Sequence, residues 1–194
     1  MPVTVTIEKR RLFDFFKAEG IVENCTEPVV EIFEENNSTK KRVLKKVTIS
    51  GLNLQNYSYY LLYPENPTSI KPSNPTERVI IEDRPGRTIL AFIEMKPPKA
   101  RKVEKKLERT FTWTYLLFNL LAGKEGRNLK VFLILCKYSD KELSPTLCKG
   151  EIEVFHNLRV KYYKKTYYSN GQEELTLNWD EVVNWPKGKP EICR

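Results

Sequence analysis

The sequence predicts an α/β fold: a mixed central β-sheet with flanking helices, followed by a β-rich C-terminal extension. Three observations carry this. Two β-prone runs, 78–83 and 88–96, face each other across Arg84-Pro85-Gly86-Arg87. A helical pattern fills 99–121, and a nearly continuous apolar run at 129–137 reads as a strand covered on both faces. A helix between two strands of one sheet usually crosses over to a parallel neighbour, so the sheet is mixed.

Residues 9–19 suit a short helix stopped by Gly20. Residues 29–35 and 42–49 read as strands that pair back across Asn36-Asn37-Ser38, and 57–63 as a Tyr/Leu-rich strand. Prolines 64, 67, 72 and 75 make 64–75 an irregular connection. Pro85-Gly86 fits a type II turn, whereas tight hairpins prefer primed turns, so a connection looser than two residues is expected. Pro97-Pro98 ends the second strand. In the helix, Val103, Leu107, Phe111, Thr114, Phe118 and Leu121 share a face, with Lys102, Lys105, Lys106 and Arg109 toward the other side. The tail reads as strands at 151–160, 162–168 and 173–178, the last two joined by Ser169-Asn170-Gly171. One domain, 1–194, is expected, with a core at roughly 8–140 and a β-hairpin extension at roughly 150–180.

Composition narrows the function classes. The chain has 194 residues, 40% of them hydrophobic and 11% aromatic, enough apolar material to build a core. No stretch reaches the roughly 18 apolar residues of a spanning helix, and Met1-Pro2-Val3-Thr4 shows no signal peptide. A cytoplasmic protein without membrane contact is expected. Cys25, Cys136, Cys148 and Cys193 form no Cys-x-x-Cys pair, which argues against structural zinc. His156 is the single histidine, so mechanisms needing two are excluded. The 33 Lys and Arg against 25 Asp and Glu give a net charge of +8, which favours polyanionic partners. Tyr57, Tyr59, Tyr60, Tyr162, Tyr163, Tyr167 and Tyr168 read as half-buried sheet residues rather than base-stacking platforms.

The chemistry concentrates at the end of the 88–96 strand. Glu94 and Lys96 follow an apolar stretch and, two residues apart, lie on one face. Ionised groups beside a dry strand need a partner, a ligand or a wet cleft. With Pro85 and Gly86 as the loop, Glu77 falls directly opposite Glu94. Two adjacent carboxylates repel, and a divalent cation relieves the repulsion; Mg²⁺ (or Mn²⁺) suits such oxygen ligands. Lys96 would orient or deprotonate the attacking water, or steady developing phosphoryl charge. Asp83 is the competing second carboxylate, although the same register sets it at the turn, roughly 20 Å from Glu94 at the usual strand rise.

Pro75-Thr76-Glu77, Val79-Ile80-Ile81, a turn and Ile93-Glu94-Met95-Lys96-Pro97-Pro98 together resemble the PD-(D/E)XK nuclease motif. The basic helix and apolar strand that follow resemble the later part of that superfamily's α-β-β-β-α-β core. The resemblance covers roughly 75–137. It implies Glu94 as a metal ligand, Lys96 as the catalytic lysine and an acidic ligand from the preceding strand, Glu77 or Asp83. It also implies a further acidic residue on the N-terminal helix, Asp14 or Glu19, and pairing into a homodimer. The chain departs from the motif at Thr76, where the family places aspartate.

Two functions follow. The first is a metal-dependent nuclease hydrolysing phosphodiesters, with DNA as the expected substrate. Lys99, Arg101, Lys102, Lys105, Lys106 and Arg109 would clamp the phosphate backbone. The alternative is a non-catalytic basic module that binds nucleic acid or protein on a degenerate nuclease-like fold. For it, Glu94 and Lys96 are a rim ion pair of little consequence.

Overall fold

Strands that are apolar on both sides have to sit between two layers, and those that alternate need only one. The chain sorts its strands by this rule. A computed structural model describes residues 9–33, 43–63, 76–96, 103–122, 128–139, 148–155 and 160–184. Its elements are α1 (Lys9–Ala18), β1 (Val22–Asn24), β2 (Val29–Phe33), β3 (Lys46–Ser50), β4 (Ser58–Leu62), β5 (Arg78–Arg84) and β6 (Arg87–Lys96). There follow α2 (Val103–Ala122), β7 (Asn128–Lys137), β8 (Cys148–Phe155), β9 (Val160–Tyr168), β10 (Glu174–Asn178) and α3 (Trp179–Val182). The protein is mixed α/β and mostly strand. The expected connection at 64–75, His156 and the basic residues 99–102 lie outside the described residues.

A seven-stranded sheet runs β1-β4-β5-β6-β7-β9-β8, and a three-stranded sheet runs β10-β3-β2. In the large sheet β6–β7 and β7–β9 are parallel, and the remaining pairs are antiparallel. α2 links β6 to its parallel neighbour β7, as the order of elements predicts. Val79, Ile81, Leu90, Phe92, Val131 and Leu133 point to one face, where Phe16 of α1 and Leu107, Phe111 and Leu117 of α2 cover them. Ile80, Ile89, Ala91, Ile93, Phe132 and Ile134 point to the other, against Val30, Ile32, Val47, Ile49, Leu175 and Leu177 of the small sheet. The three layers are thus helices, large sheet and small sheet. No described helix is long and apolar enough to cross a membrane.

Local chemistry sets the element ends. α1 stops in a Schellman arrangement: Gly20 N–H donates to the Lys17 carbonyl at 3.0 Å and Ile21 N–H to the Phe16 carbonyl at 2.9 Å. Gly20 has the positive φ of 65° that this stop requires. Ile21 and Phe16 are both buried, which adds the hydrophobic contact across the stop. Between β5 and β6, Arg84 pairs with Arg87, so the loop is Pro85-Gly86 alone and not the looser connection expected. Gly86, at φ 72°, meets the demand of a type II turn at its third position and makes the tight loop possible.

The tail departs from expectation. The runs read as 162–168 and 173–178 do not pair with each other. β9 enters the large sheet between β7 and β8, and β10 crosses to pair in parallel with β3. The burial patterns give the reason. β9 buries Tyr162 and Tyr163 on opposite faces and therefore needs an interior position, while β10 alternates strictly and needs only one covered side. The segment 150–180 is therefore part of both sheets rather than a hairpin appended to them.

Gly150, on β8, makes room for Tyr163 of β9: a Cβ built there would stand 1.8 Å from the Tyr163 hydroxyl. Gly150→Ala should therefore destabilise the protein by about 1–3 kcal/mol through overpacking. Urea unfolding would measure it, and an unchanged midpoint would show that Tyr163 does not lie across β8.

Candidate active site

The β5–β6 ladder runs from Arg84–Arg87 at the turn to Arg78–Ile93 at the far end. The register is the one the sequence predicts, and Glu77 directly precedes the last paired residue, Arg78, while Glu94 directly follows its partner, Ile93. Here β5 ends: Thr76 N–H leaves the ladder and donates to Thr110 Oγ1 of α2 at 3.1 Å. Met95 N–H, having lost its strand partner, is taken by the Glu77 carboxylate. Glu77 thus caps the end of the ladder through its side chain.

Glu94 is fully buried, on the helix-facing side of a strand that is dry from Thr88 to Met95. A carboxylate in that position stays ionised only with a close counter-charge. Lys106 supplies it, with Nζ 2.7 Å from Glu94 Oε1. Lys106 is itself 8% exposed. The backbone around it is pinned twice. Thr110 donates its hydroxyl to the Lys106 carbonyl at 2.9 Å and accepts the N–H of Thr76. The start of β5, the end of β6 and the first turns of α2 form one hydrogen-bonded corner.

The predicted residues divide as follows. Glu77 and Glu94 are brought to the same strand end. Asp83 is not: it pairs with Thr88 and Ser58 at the turn end of β5, so a metal centre that includes both Asp83 and Glu94 is corrected by strand geometry. Lys106 is corrected too. It faces the sheet rather than the outer side of α2, because Lys106, Thr110 and Thr114 form an i, i+4 row adjoining the apolar one. Lys105 and Arg109 do stand on the exposed side, one helical turn apart. Lys99, Arg101 and Lys102 lie outside the described residues, as does the Lys96 side chain; the Lys96 backbone ends β6 opposite Lys137. Asp14 and Glu19 are exposed.

Among the described residues, no three His, Cys, Asp or Glu side chains converge as a metal cage. The donors at the corner are two carboxylates, with the buried Thr76 hydroxyl, which has no hydrogen-bond partner, one residue before Glu77. All are hard oxygen donors. Oxygen donors are the kind Mg²⁺ takes, although Glu94 is held by Lys106 and Glu77 by the Met95 N–H in this structure. Cys136 is no rival nucleophile: burial first, and the nearby Glu77 carboxylate second, push its thiol well above the usual range.

No family model, curated protein or solved structure matches the chain.

A second buried carboxylate, missed in the sequence, lies on the opposite face. Glu82 is fully buried and accepts from Tyr59 Oη at 2.7 Å, Trp179 Nε1 at 2.5 Å and Arg84 Nε. The signal was the one that exposed Glu94, an acid closing an apolar run (Val79-Ile80-Ile81). With three donors its hydrogen-bonding is well met, and its role is to tie α3 to β4 and β5. Nearby, Arg84 stacks 4.2 Å from the Tyr57 ring. Both line an open cleft of about 470 Å³ with Asp83 and Pro85, at the sheet end away from Glu94.

Lys165 is the fourth buried charge, after Glu94, Lys106 and Glu82. At 2% exposure it donates to the Glu181 carbonyl of α3 and lies over the rings of Tyr163 and Phe132. Burial pushes its pKa down to about 8, only partly offset by the Glu181 carboxylate. The folded value thus lies below the roughly 10.4 of an unfolded lysine. Between the two the unfolded chain binds the extra proton, so this group adds stability as pH rises. Wild-type urea stability should improve relative to Lys165→Met from about pH 7 to about pH 10. A difference independent of pH would contradict a desolvated Lys165. The comparison with the variant cancels the opposing contributions of Cys136 and Tyr167, whose burial raises their pKa values.

The Glu94–Lys106 pair gives a double-mutant test. Glu94→Leu or Lys106→Met alone strands one buried charge and should cost about 3–5 kcal/mol; the double variant should recover most of it. Additive losses in urea unfolding would show that the two charges do not interact.

Proposed function

We propose that this chain is a divalent-metal-dependent nuclease whose reaction centre is the end of β6. The observation that carries the reading is a fully buried carboxylate, Glu94, near the end of a central strand, with Glu77 just before the neighbouring strand and an ammonium from the following helix. The order α1, β4, β5, β6, α2, β7 supports it: with β1–β3 set aside as an insertion, the elements follow one another as α-β-β-β-α-β, the order expected of such a nuclease.

In this reading Glu77 and Glu94 would hold Mg²⁺, which would supply Lewis acidity and an activated water. Lys96, leaving β6 beside Glu94, and Lys106 are the ammonium groups available to steady negative charge on phosphate oxygens. Lys105 and Arg109 present positive charge along the outer side of α2, where a phosphate backbone would be positioned without sequence readout. The net charge of +8 draws the polyanion in. The substrate is nucleic acid, with DNA as the first choice.

One observation favours a second reading, a non-catalytic nucleic-acid-binding module. Glu94 is already paired with Lys106 and Glu77 with a backbone N–H, contacts that stabilise the corner with no ligand at all. Incubation of the protein with plasmid, single-stranded DNA and RNA, in Mg²⁺, Mn²⁺ or EDTA, separates the two. The nuclease reading predicts metal-dependent cleavage that EDTA stops and that the Glu94→Leu/Lys106→Met double variant, which keeps the fold, loses by at least about a hundredfold. Salt-sensitive binding without cleavage, unchanged by EDTA, would overturn it.

A further inference from the structure

Glu94 lies in a charge-balanced site before any metal arrives, and that has a consequence for how metal binds. The carboxylate is fully buried, its partner Lys106 is 8% exposed, and their closest atoms are 2.7 Å apart. A divalent ion arriving at Glu94 meets an ammonium already on the same carboxylate. At such range like charges repel strongly, because little water lies between them to screen them. We propose that Lys106 is the resident counter-cation of Glu94 and that a divalent ion binds there by displacing it. The proposal rests on the reading that metal binds at Glu94 and adds the way the site is regulated.

Two features make displacement workable. Lys106 is the fourth residue of α2 (Val103–Ala122), near the helix end, and its four-carbon stem lets the ammonium swing outward while the stem stays against apolar surface. Its backbone does not follow, because Thr110 holds the Lys106 carbonyl and the Thr76 N–H together. The corner that presents Glu77 and Glu94 therefore keeps its shape as the counter-ion leaves. Once displaced, the ammonium stands at the rim of the corner, the place an incoming phosphate would enter. The pair thus gives Glu94 a charge partner in the metal-free protein at the expense of metal affinity.

The test uses the full chain at one pH, with Mn²⁺ binding followed by electron paramagnetic resonance. Lys106→Gln should bind Mn²⁺ at least about tenfold more tightly than wild type, the size of effect expected on removing one like charge within about 4 Å. Lys106→Arg, which keeps the charge, should remain near wild type. A second measurement needs no variant. Acetylation of wild-type Lys106 by an amine-reactive ester, read by mass spectrometry, should be slow without metal and at least about fivefold faster with saturating Mn²⁺. Equal Mn²⁺ affinity in wild type and Lys106→Gln, or weaker binding in the variant, would overturn the proposal while leaving the metal site standing. So would Lys106 labelling that Mn²⁺ does not change. Failure of all three proteins to bind Mn²⁺ would remove the metal site itself, and the nuclease reading with it.

Discussion

A carboxylate cannot stay charged in a dry interior by itself, and the arrangement around Glu94 follows from that constraint. Strand β6 runs through the middle of the large sheet with residues on both faces buried, and Glu94 comes before it reaches the edge. The charge is met by a helix that must in any case lie over β6, since α2 is the crossover to β7. Lys106 therefore arrives at Glu94 as a result of topology. Thr76 and Thr110 then close the corner by joining the start of β5 to the same turn of α2. A buried pair of this kind adds little net stability over a well-packed apolar one, yet breaking it is costly. An ionic corner at a strand end thus suggests a task beyond holding the fold.

The opposite face is organised by charge in a different way. Glu82 and Lys165 both fasten the C-terminal segment, Glu82 through the Trp179 indole and Lys165 through the Glu181 carbonyl. Trp179 is fully buried and packs edge-on against Tyr59 at 5.9 Å between ring centroids. The last described elements therefore seal the space between the sheets. Every hydrogen bond named for Glu82 comes from within this layer. Glu94, by contrast, is paired with a lysine from the crossover helix on the other face of the sheet. This difference in surroundings separates the structural acid from the candidate catalytic one.

Much of this was legible in the sequence because it is local. The stop at Gly20, the β5–β6 register and the two-face burial of β7 all follow from short-range patterns, and the register placed Glu77 across from Glu94. The tail was misread because the Ser169-Asn170-Gly171 turn looks like a hairpin, whereas the partners of β9 and β10 are set by how many faces each must bury. Lys106 was misread because its charge outweighed its position. The row Lys106, Thr110, Thr114 is a polar stripe next to an apolar one, and a stripe of that kind on a sheet-covering helix faces a buried polar partner. Glu94 supplied the need for such a partner, but the sequence does not say which side chain of a neighbouring element will reach it.

A divalent ion at the corner formed by Glu77, Glu94 and Lys106 would be seen by crystallography. Crystals grown or soaked with Mn²⁺ should show one anomalous peak about 2.1 Å from carboxylate oxygens of Glu94 and Glu77, with Lys106 turned away from Glu94. A structure in saturating Mn²⁺ that has no such peak, and in which Lys106 Nζ still rests on Glu94, would rule out a metal site at this corner.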